Sequence, residues 1–222
     1  MTEQAIEWHQ RGAGSPCTPL PGWGQGPAAA LADALAPAQA APASLIGWSL
    51  GGLIALATAA RHPDRVRRVV LLAATPRFIS AEGWPGVDPA LFDRFAGGVD
   101  ADPAGARDRF LSLQVAAGAG QHQTVRRLRW AAARDGEPDA SALQAGLALL
   151  RTLDLRAVVP TLRCPIDAIL AGADPLVPVG LAPHLRTLGV RTRVIAGLGH
   201  APLVTDPETV ARLLAEIELE RG

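Results

Sequence analysis

The chain has 222 residues, 49% of them hydrophobic and 19% charged, which is ample material for a core and excludes an intrinsically disordered chain. Lys+Arg and Asp+Glu both number 21, so the formal net charge is zero and gives no reason to expect nucleic acid or an anionic membrane as partner. At about 100–200 residues per domain, the length fits one globular domain with room for an inserted lobe. The chain lacks Lys, Asn and Tyr, so every fixed side-chain cation is an arginine. Cys17 and Cys164 lie far apart and suggest neither a disulfide scaffold nor a metal site; no metal or cofactor is expected. The opening MTEQAIEWHQRG has no basic segment followed by an apolar one, and no uncharged apolar stretch reaches about 18 residues. A soluble, cytoplasmic monomer is the expectation.

Residues 4–10 could form a short strand, 11–27 are rich in Gly and Pro and read as loop, and 27–41 read as a helix stopping near Pro42. Ser44 to Trp48 is a short apolar run consistent with a buried strand. Leu50 to Arg61 reads as a buried helix ending before Pro63, and 66–74 (VRRVVLLAA) as another strand. Residues 44–74 therefore predict a β-α-β unit and a parallel sheet. From 76 to 157 the pattern turns helical, near 89–96, 104–117, 121–134 and 139–151, without a convincing strand. Strand rhythm returns at 166–171 and 191–196, with a helix between them and a terminal helix over 206–219. The predicted architecture is α/β: a mostly parallel sheet flanked by helices, with core segments 1–75 and 158–222 and a helical cap inserted over 76–157.

Gly47-Trp48-Ser49-Leu50-Gly51 is a G-x-S-x-G sequence at the junction of predicted strand and helix. That context is what a nucleophile elbow requires. The turn should be tight enough to demand small flanking residues and to strain the serine backbone. Ser49 Oγ would then project above the sheet, and the Leu50 N–H at the helix N-terminus would be free to hold an oxyanion. A plain glycine-rich helix cap is the bland alternative; it leaves the coincidence of strand and both glycines unexplained. Serine needs an imidazole base and a carboxylate to orient that base, in the chain order Ser, acid, His. His9 precedes the serine, His62 reads as a helix C-cap, and His122 and His184 lie in helical stretches. His200, in GLGHAP straight after the last predicted strand, is placed as the base. Asp174, in GADPLVP after strand 166–171, is placed as the acid; its alternative is a simple Asp-Pro turn. Asp167 lies within that strand, where an edge or buried-pair role is expected. All three chosen residues fall at carboxyl ends of strands, where open α/β sheets bind ligands. Their joint chemistry is attack of Ser49 on an ester carbonyl, proton transfer to His200, and release of the acyl group by water.

Several segments together resemble the pimeloyl-[acyl-carrier protein] methyl ester esterases of biotin synthesis, members of the α/β-hydrolase superfamily. They are LIGWSLGGLIALATAARHPDRVRRVVLLAATPRF, WPGVDP at 84–89, RFLSLQ at 109–114, LQAGLALLRTLDLR at 143–156, LAGADPLVP at 170–178 and GLGHAPLVTDP at 197–207. The resemblance runs from about residue 44 to the end and includes the cap. It implies hydrolysis of the methyl ester of pimeloyl-ACP (ACP, acyl carrier protein) to pimeloyl-ACP and methanol. It also implies substrate contacts at Ser49, Leu50, Phe110, Leu111, Ser112, Leu113, Gln114 and His200, and at a Trp of the oxyanion loop. Between Arg109 and Arg134 lie five arginines and no Asp or Glu. ACP is acidic and its prosthetic group carries a phosphate, which arginine binds well. Arg109 and Arg126 match ACP-contacting positions of the family, Arg127 and Arg129 extend the cluster, and His122 stands where another Arg is expected. The same arginines would equally serve as the solvated face of a helix that buries Val125, Leu128 and Ala132.

The resemblance also implies a shortened N-terminal part, with 48 residues before Ser49 and N-terminal strands partly missing. AIEWHQRGAGSP is similar to the family's first strand and turn. Pro21 to Gln25 then admits two alignments. In one it is the oxyanion loop, with Pro21 in place of His and Trp23 supplying the second N–H. In the other, Leu20-Pro21-Gly22-Trp23-Gly24 is a later turn, the oxyanion strand is absent, and the helix-to-elbow spacing fits better. Two other functions compete with the methyl esterase: a general short-chain carboxylesterase, and an inactive hydrolase fold that binds an acyl chain or ACP. The triad alone would also allow chloroperoxidase-type or dienelactone-hydrolase-type activity, against which the cap segments argue.

Overall fold

The computed structural model describes residues 42–99, 101–115, 124–126, 129 and 140–220. The predicted strand at 4–10, the helix at 27–41 and most of the helix at 121–134 lie outside these residues, as does the expected loss of N-terminal strands.

The predicted β-α-β unit is present: β1 (Ala43–Trp48), α1 (Leu50–Arg61) and β2 (Val66–Leu72). After the helical segment come β3 (Ile166–Ala171), α5 (Leu181–Thr187), β4 (Arg191–Ile195), a single turn α6 (Pro202–Thr205) and α7 (Pro207–Leu219). Among the described residues the sheet has four strands, in the order β1-β2-β3-β4, all parallel. β2 and β3 are central, and every residue except Arg67 in these two strands is buried. This is why they read as unbroken apolar runs rather than alternating ones. β2 stops at Leu72, two residues short of the predicted end, because Ala73 turns into the left-handed region with φ 45°.

The sheet is the middle of three layers. On one face Leu53, Leu56 and Ala59 of α1 pack with Val69 and Leu71 of β2 and with Leu181 and Leu185 of α5. On the other, Val210, Leu213, Leu214 and Ile217 of α7 cover Val70, Leu72 and Ile169. Asp167 takes the buried-pair role: its carboxylate is fully buried, 2.6 Å from Arg68 and 2.8 Å from Arg191. It sits at the amino end of β3, away from the rim where Asp174 lies.

The segment between β2 and β3 contains α2 (Pro89–Ala96), α3 (Pro103–Gln114) and α4 (Ala140–Thr152), close to the predicted ranges. α2, α3 and α7 each begin with the same dipeptide. Asp88, Asp102 and Asp206 accept the N–H groups of Leu91, Gly105 and Thr209, and the following Pro presets the first turn. Arg151 of α4 makes a bidentate pair with Asp93 of α2, at 2.7 and 3.0 Å. Where the chain leaves and re-enters the core, Arg77 and Asp154 form an antiparallel bridge. There the Leu155 N–H also donates to the Pro76 carbonyl. The hydrogen bonds from Arg156, first, and from Arg77 hold the Asp154 carboxyl well below the usual carboxylate range. No described helix is long and apolar enough to cross a membrane.

Candidate active site

The elbow forms where β1 meets α1. Ser49 has φ 54° and ψ −123°, a conformation that costs a non-glycine residue of order 1–3 kcal/mol. Its backbone is held from both sides: the Ser49 N–H donates to the Leu72 carbonyl at 3.1 Å, and the Gly52 N–H to the Ser49 carbonyl at 2.9 Å. Glycine is demanded at Gly47, where a Cβ would lie 2.4 Å from the Gly51 carbonyl oxygen, and at Gly52, where it would lie 2.4 Å from the Ala74 methyl. This corrects the reading that both glycines flanking the serine must be small. A Cβ on Gly51 would meet nothing within 4 Å. The close approach of α1 to the strands falls one residue later, at Gly52.

Asp174 follows β3 as expected. Its Oδ1 accepts the N–H groups of Leu176 and Val177, at 2.8 and 3.0 Å, so the carboxylate is fixed before any histidine reaches it. Unlike the other three Asp-Pro pairs, Asp174-Pro175 starts no helix. His200 follows β4, on a loop pinned by the Gly172 N–H on Ile195 and the Ala173 N–H on Leu198.

These elements bring the three predicted side chains together. His200 Nδ1 lies 2.8 Å from Asp174 Oδ2, and His200 Nε2 lies 2.9 Å from Ser49 Oγ. A carboxylate can only accept, so Nδ1 carries the donated proton and the Nε2 lone pair faces the serine hydroxyl. The side chains of His200 and Asp174 are fully buried and Ser49 is buried, so water does not dilute these contacts. The three form a Ser-His-Asp triad with the geometry of serine hydrolases.

Leu50 contributes the first N–H of α1, which has no acceptor within the helix. Over the elbow, Gly146 of α4 comes against the Leu50 side chain, and α3 ends beside the histidine loop, with the Gln114 carbonyl close to Gly199. The five α3 residues singled out in sequence part company. Leu111 and Gln114 are buried, and neither amide atom of Gln114 has a partner among the described residues. Phe110 is half-buried against Phe95. The Ser112 hydroxyl donates to the Asp108 carbonyl and accepts from Arg129, while Leu113 faces out. Arg109, Arg126 and Arg129 are exposed, yet Arg109 pairs with Asp102 and Arg129 with Asp108, each at 3.4 Å. The acids lie just before the acid-free stretch, so the cluster is partly neutralised. His184, read as featureless, packs against Trp84. Trp23, Arg127 and His122 lie outside the described residues. One contact was missed in sequence: the Trp48 indole N–H donates to the His200 carbonyl at 2.6 Å.

The model of the alpha/beta hydrolase family matches residues 6–213. A pimeloyl-[acyl-carrier protein] methyl ester esterase of Methylococcus capsulatus is 38% identical over 205 residues, covering 89% of this chain and 81% of that protein. The chain belongs to this esterase family. Its relative of the same name in Stenotrophomonas maltophilia is 42% identical over 176 residues, covering 78% of this chain and 68% of that one. Among solved structures, an esterase from Exiguobacterium antarcticum superposes with a TM-score of 0.68 at 22% identity, over 78% of this chain and 65% of that one. A bromoperoxidase from Bacillus anthracis superposes with a TM-score of 0.70, also at 22% identity, over 80% and 67%. Both of these show the shared fold. With the triad assembled, this member of the family is a carboxylic ester hydrolase acting on small acyl esters.

Proposed function

We propose that the chain hydrolyses the methyl ester of pimeloyl-ACP, giving pimeloyl-ACP and methanol. The observation that carries this reading is identity of 38% to a methyl esterase of that name across 81% of its length. Residues 76–157 act as a cap over a core made of 1–75 and 158–222. The acyl chain lies between them, against Leu50, Phe110, Leu111, Ser112 and Gln114, and the Gln114 amide, without a partner among the described residues, is available to the substrate's polar atoms.

Ser49 Oγ attacks the ester carbonyl as His200 Nε2 takes its proton. Asp174 holds the imidazole in position and stabilises the imidazolium that forms. The Leu50 N–H receives the negative charge developing on the carbonyl oxygen, with Trp23 the candidate for the second donor. The imidazolium returns its proton to the leaving methoxide, and methanol departs. His200 then activates water, which releases the acid and restores the serine. The arginines Arg109, Arg126, Arg127 and Arg129 supply the positive rim that an acidic carrier protein and its phosphate would meet.

The test compares two substrates. Changing Arg126, Arg127 and Arg129 to Glu should lower kcat/KM on pimeloyl-ACP methyl ester about tenfold or more and leave p-nitrophenyl butyrate hydrolysis within about twofold. Equal behaviour on both would favour a general short-chain esterase, to which the existing Arg109–Asp102 and Arg129–Asp108 pairs also point. Complementation of a biotin auxotroph that lacks the methyl esterase, with Ser49→Ala as control, tests the activity in the cell.

A further inference from the structure

Among the described residues three attachments fix the histidine of the triad, and two of them, to Asp174 and to Ser49, belong to its ring. The third belongs to its backbone: the Trp48 indole N–H reaches the His200 carbonyl at 2.6 Å, across 152 positions of sequence. Trp48 is the residue immediately before the nucleophile. β1 places its side chain on the sheet face opposite α1, where the indole packs with Leu203 of α6 against the cluster formed by α7. Its ring centroid lies 6.2 Å from that of the imidazole. The body of the indole is therefore seated in apolar surroundings while its polar tip is spent on one main-chain oxygen.

That oxygen matters because of where it sits. His200 lies between β4 and the one-turn helix α6, on a loop whose other pins, at Leu198 and Ile195, hold only the part preceding it. Ala201 accepts the N–H groups of Val204 and Thr205, so the chain beyond His200 is tied to α6 and not to the elbow. Trp48 alone, among the described contacts, ties the His200 main chain to the strand that carries Ser49. An imidazole swings about its Cα, so a small shift of this backbone moves Nε2 off the serine hydroxyl, and such misplacement is expensive in rate.

We propose that Trp48 is a positioning residue, whose indole N–H sets the distance between His200 Nε2 and Ser49 Oγ through the His200 carbonyl. The proposal rests on the triad being the hydrolytic machinery and is independent of any carrier-protein partner. Replacing Trp48 by β-(3-benzothienyl)alanine keeps the bicyclic shape and removes the N–H. Trp48→Phe removes the N–H with a smaller ring and serves as a second variant. With p-nitrophenyl butyrate as substrate, both should lower kcat about five- to tenfold, the rate equivalent of one hydrogen bond, and leave KM within about twofold. Labelling of Ser49 by a fluorophosphonate should slow by a similar factor, while the isostere's Tm stays within a few degrees of the parent's. A kcat within about twofold of the parent in both variants, or a loss confined to KM, would overturn the proposal. A parent chain that neither labels nor turns over would overturn the esterase reading itself, and this proposal with it.

Discussion

The carboxyl rim of the sheet and the exposed face of the helical segment between β2 and β3 carry the two halves of the proposed chemistry, and they are built in opposite ways. At the rim, His200 and Asp174 are fully buried, their contact is 2.8 Å, and each partner is held by further main-chain bonds. On α3 and the residues after it, Arg109 and Arg129 have side chains about half exposed, and their ion pairs are 3.4 Å long. A buried, pre-fixed hydrogen bond keeps its strength, whereas an exposed ion pair is worth at most about 1 kcal/mol and is screened by salt. Bond-making chemistry thus sits where geometry cannot drift. The proposed recognition of a charged partner would sit where pairs exchange cheaply, so the two regions should respond to mutation on different scales.

The largest expected effect tests the rim. Ser49→Ala should abolish p-nitrophenyl butyrate turnover, by more than about 10³-fold, and Asp174→Asn should cost about 10³–10⁴-fold by releasing the imidazole tautomer. KM should change little in either variant, because neither side chain supplies much ground-state binding. Activity surviving Ser49→Ala at more than a few per cent would place the chemistry elsewhere.

The rim was also the more legible half in sequence. G-x-S-x-G after an apolar strand fixed the elbow. The order Ser, Asp, His after three successive strands singled out Asp174 and His200, because chain order and strand ends are local features. Asp174-Pro175 shows the limit of such reading: three identical dipeptides in this chain cap helices, and only the neighbouring His200, 26 positions away, distinguishes the fourth. Long-range side-chain contacts left no trace of that kind. Nothing in the order of residues announces that Trp48 reaches His200, that Arg68 neutralises Asp167, or that Gly52 rather than Gly51 touches Ala74. In the helical half, the ranges of α2, α3 and α4 followed from periodicity and Asp-Pro caps. The pairing of Arg109 and Arg129 with acids outside the arginine-rich stretch needed the fold.

The two elbow glycines give the next contrast. Gly47→Ala would push a methyl to 2.4 Å from a main-chain oxygen, a clash that backbone must absorb, so a loss of about 1–3 kcal/mol is expected in urea unfolding, with activity falling alongside. Gly51→Ala meets open space inside a helix, so stability should hold or rise by a few tenths of a kcal/mol, on the order set by helix propensity. Equal damage at both positions would mean that the turn, rather than this one approach of α1 to β1, demands glycine.

The smallest effect belongs to the junction between the two halves. Asp154 is bound by Arg156 and Arg77, its side chain is 31% exposed, and its carboxyl titrates below its ordinary range. A carboxyl whose folded pKa is depressed adds stability that is fully present above its unfolded pKa, near 3.9, and is lost as pH falls through the folded value. Asp154→Asn should therefore cost about 1 kcal/mol or less at pH 7, discounted for solvent screening, and the gap to the parent should narrow steadily below about pH 4. Urea unfolding of both chains at pH 7, 5 and 3 measures it. A gap unchanged across that range would show that the loss comes from the geometry of the side chain's hydrogen bonds rather than from its charge.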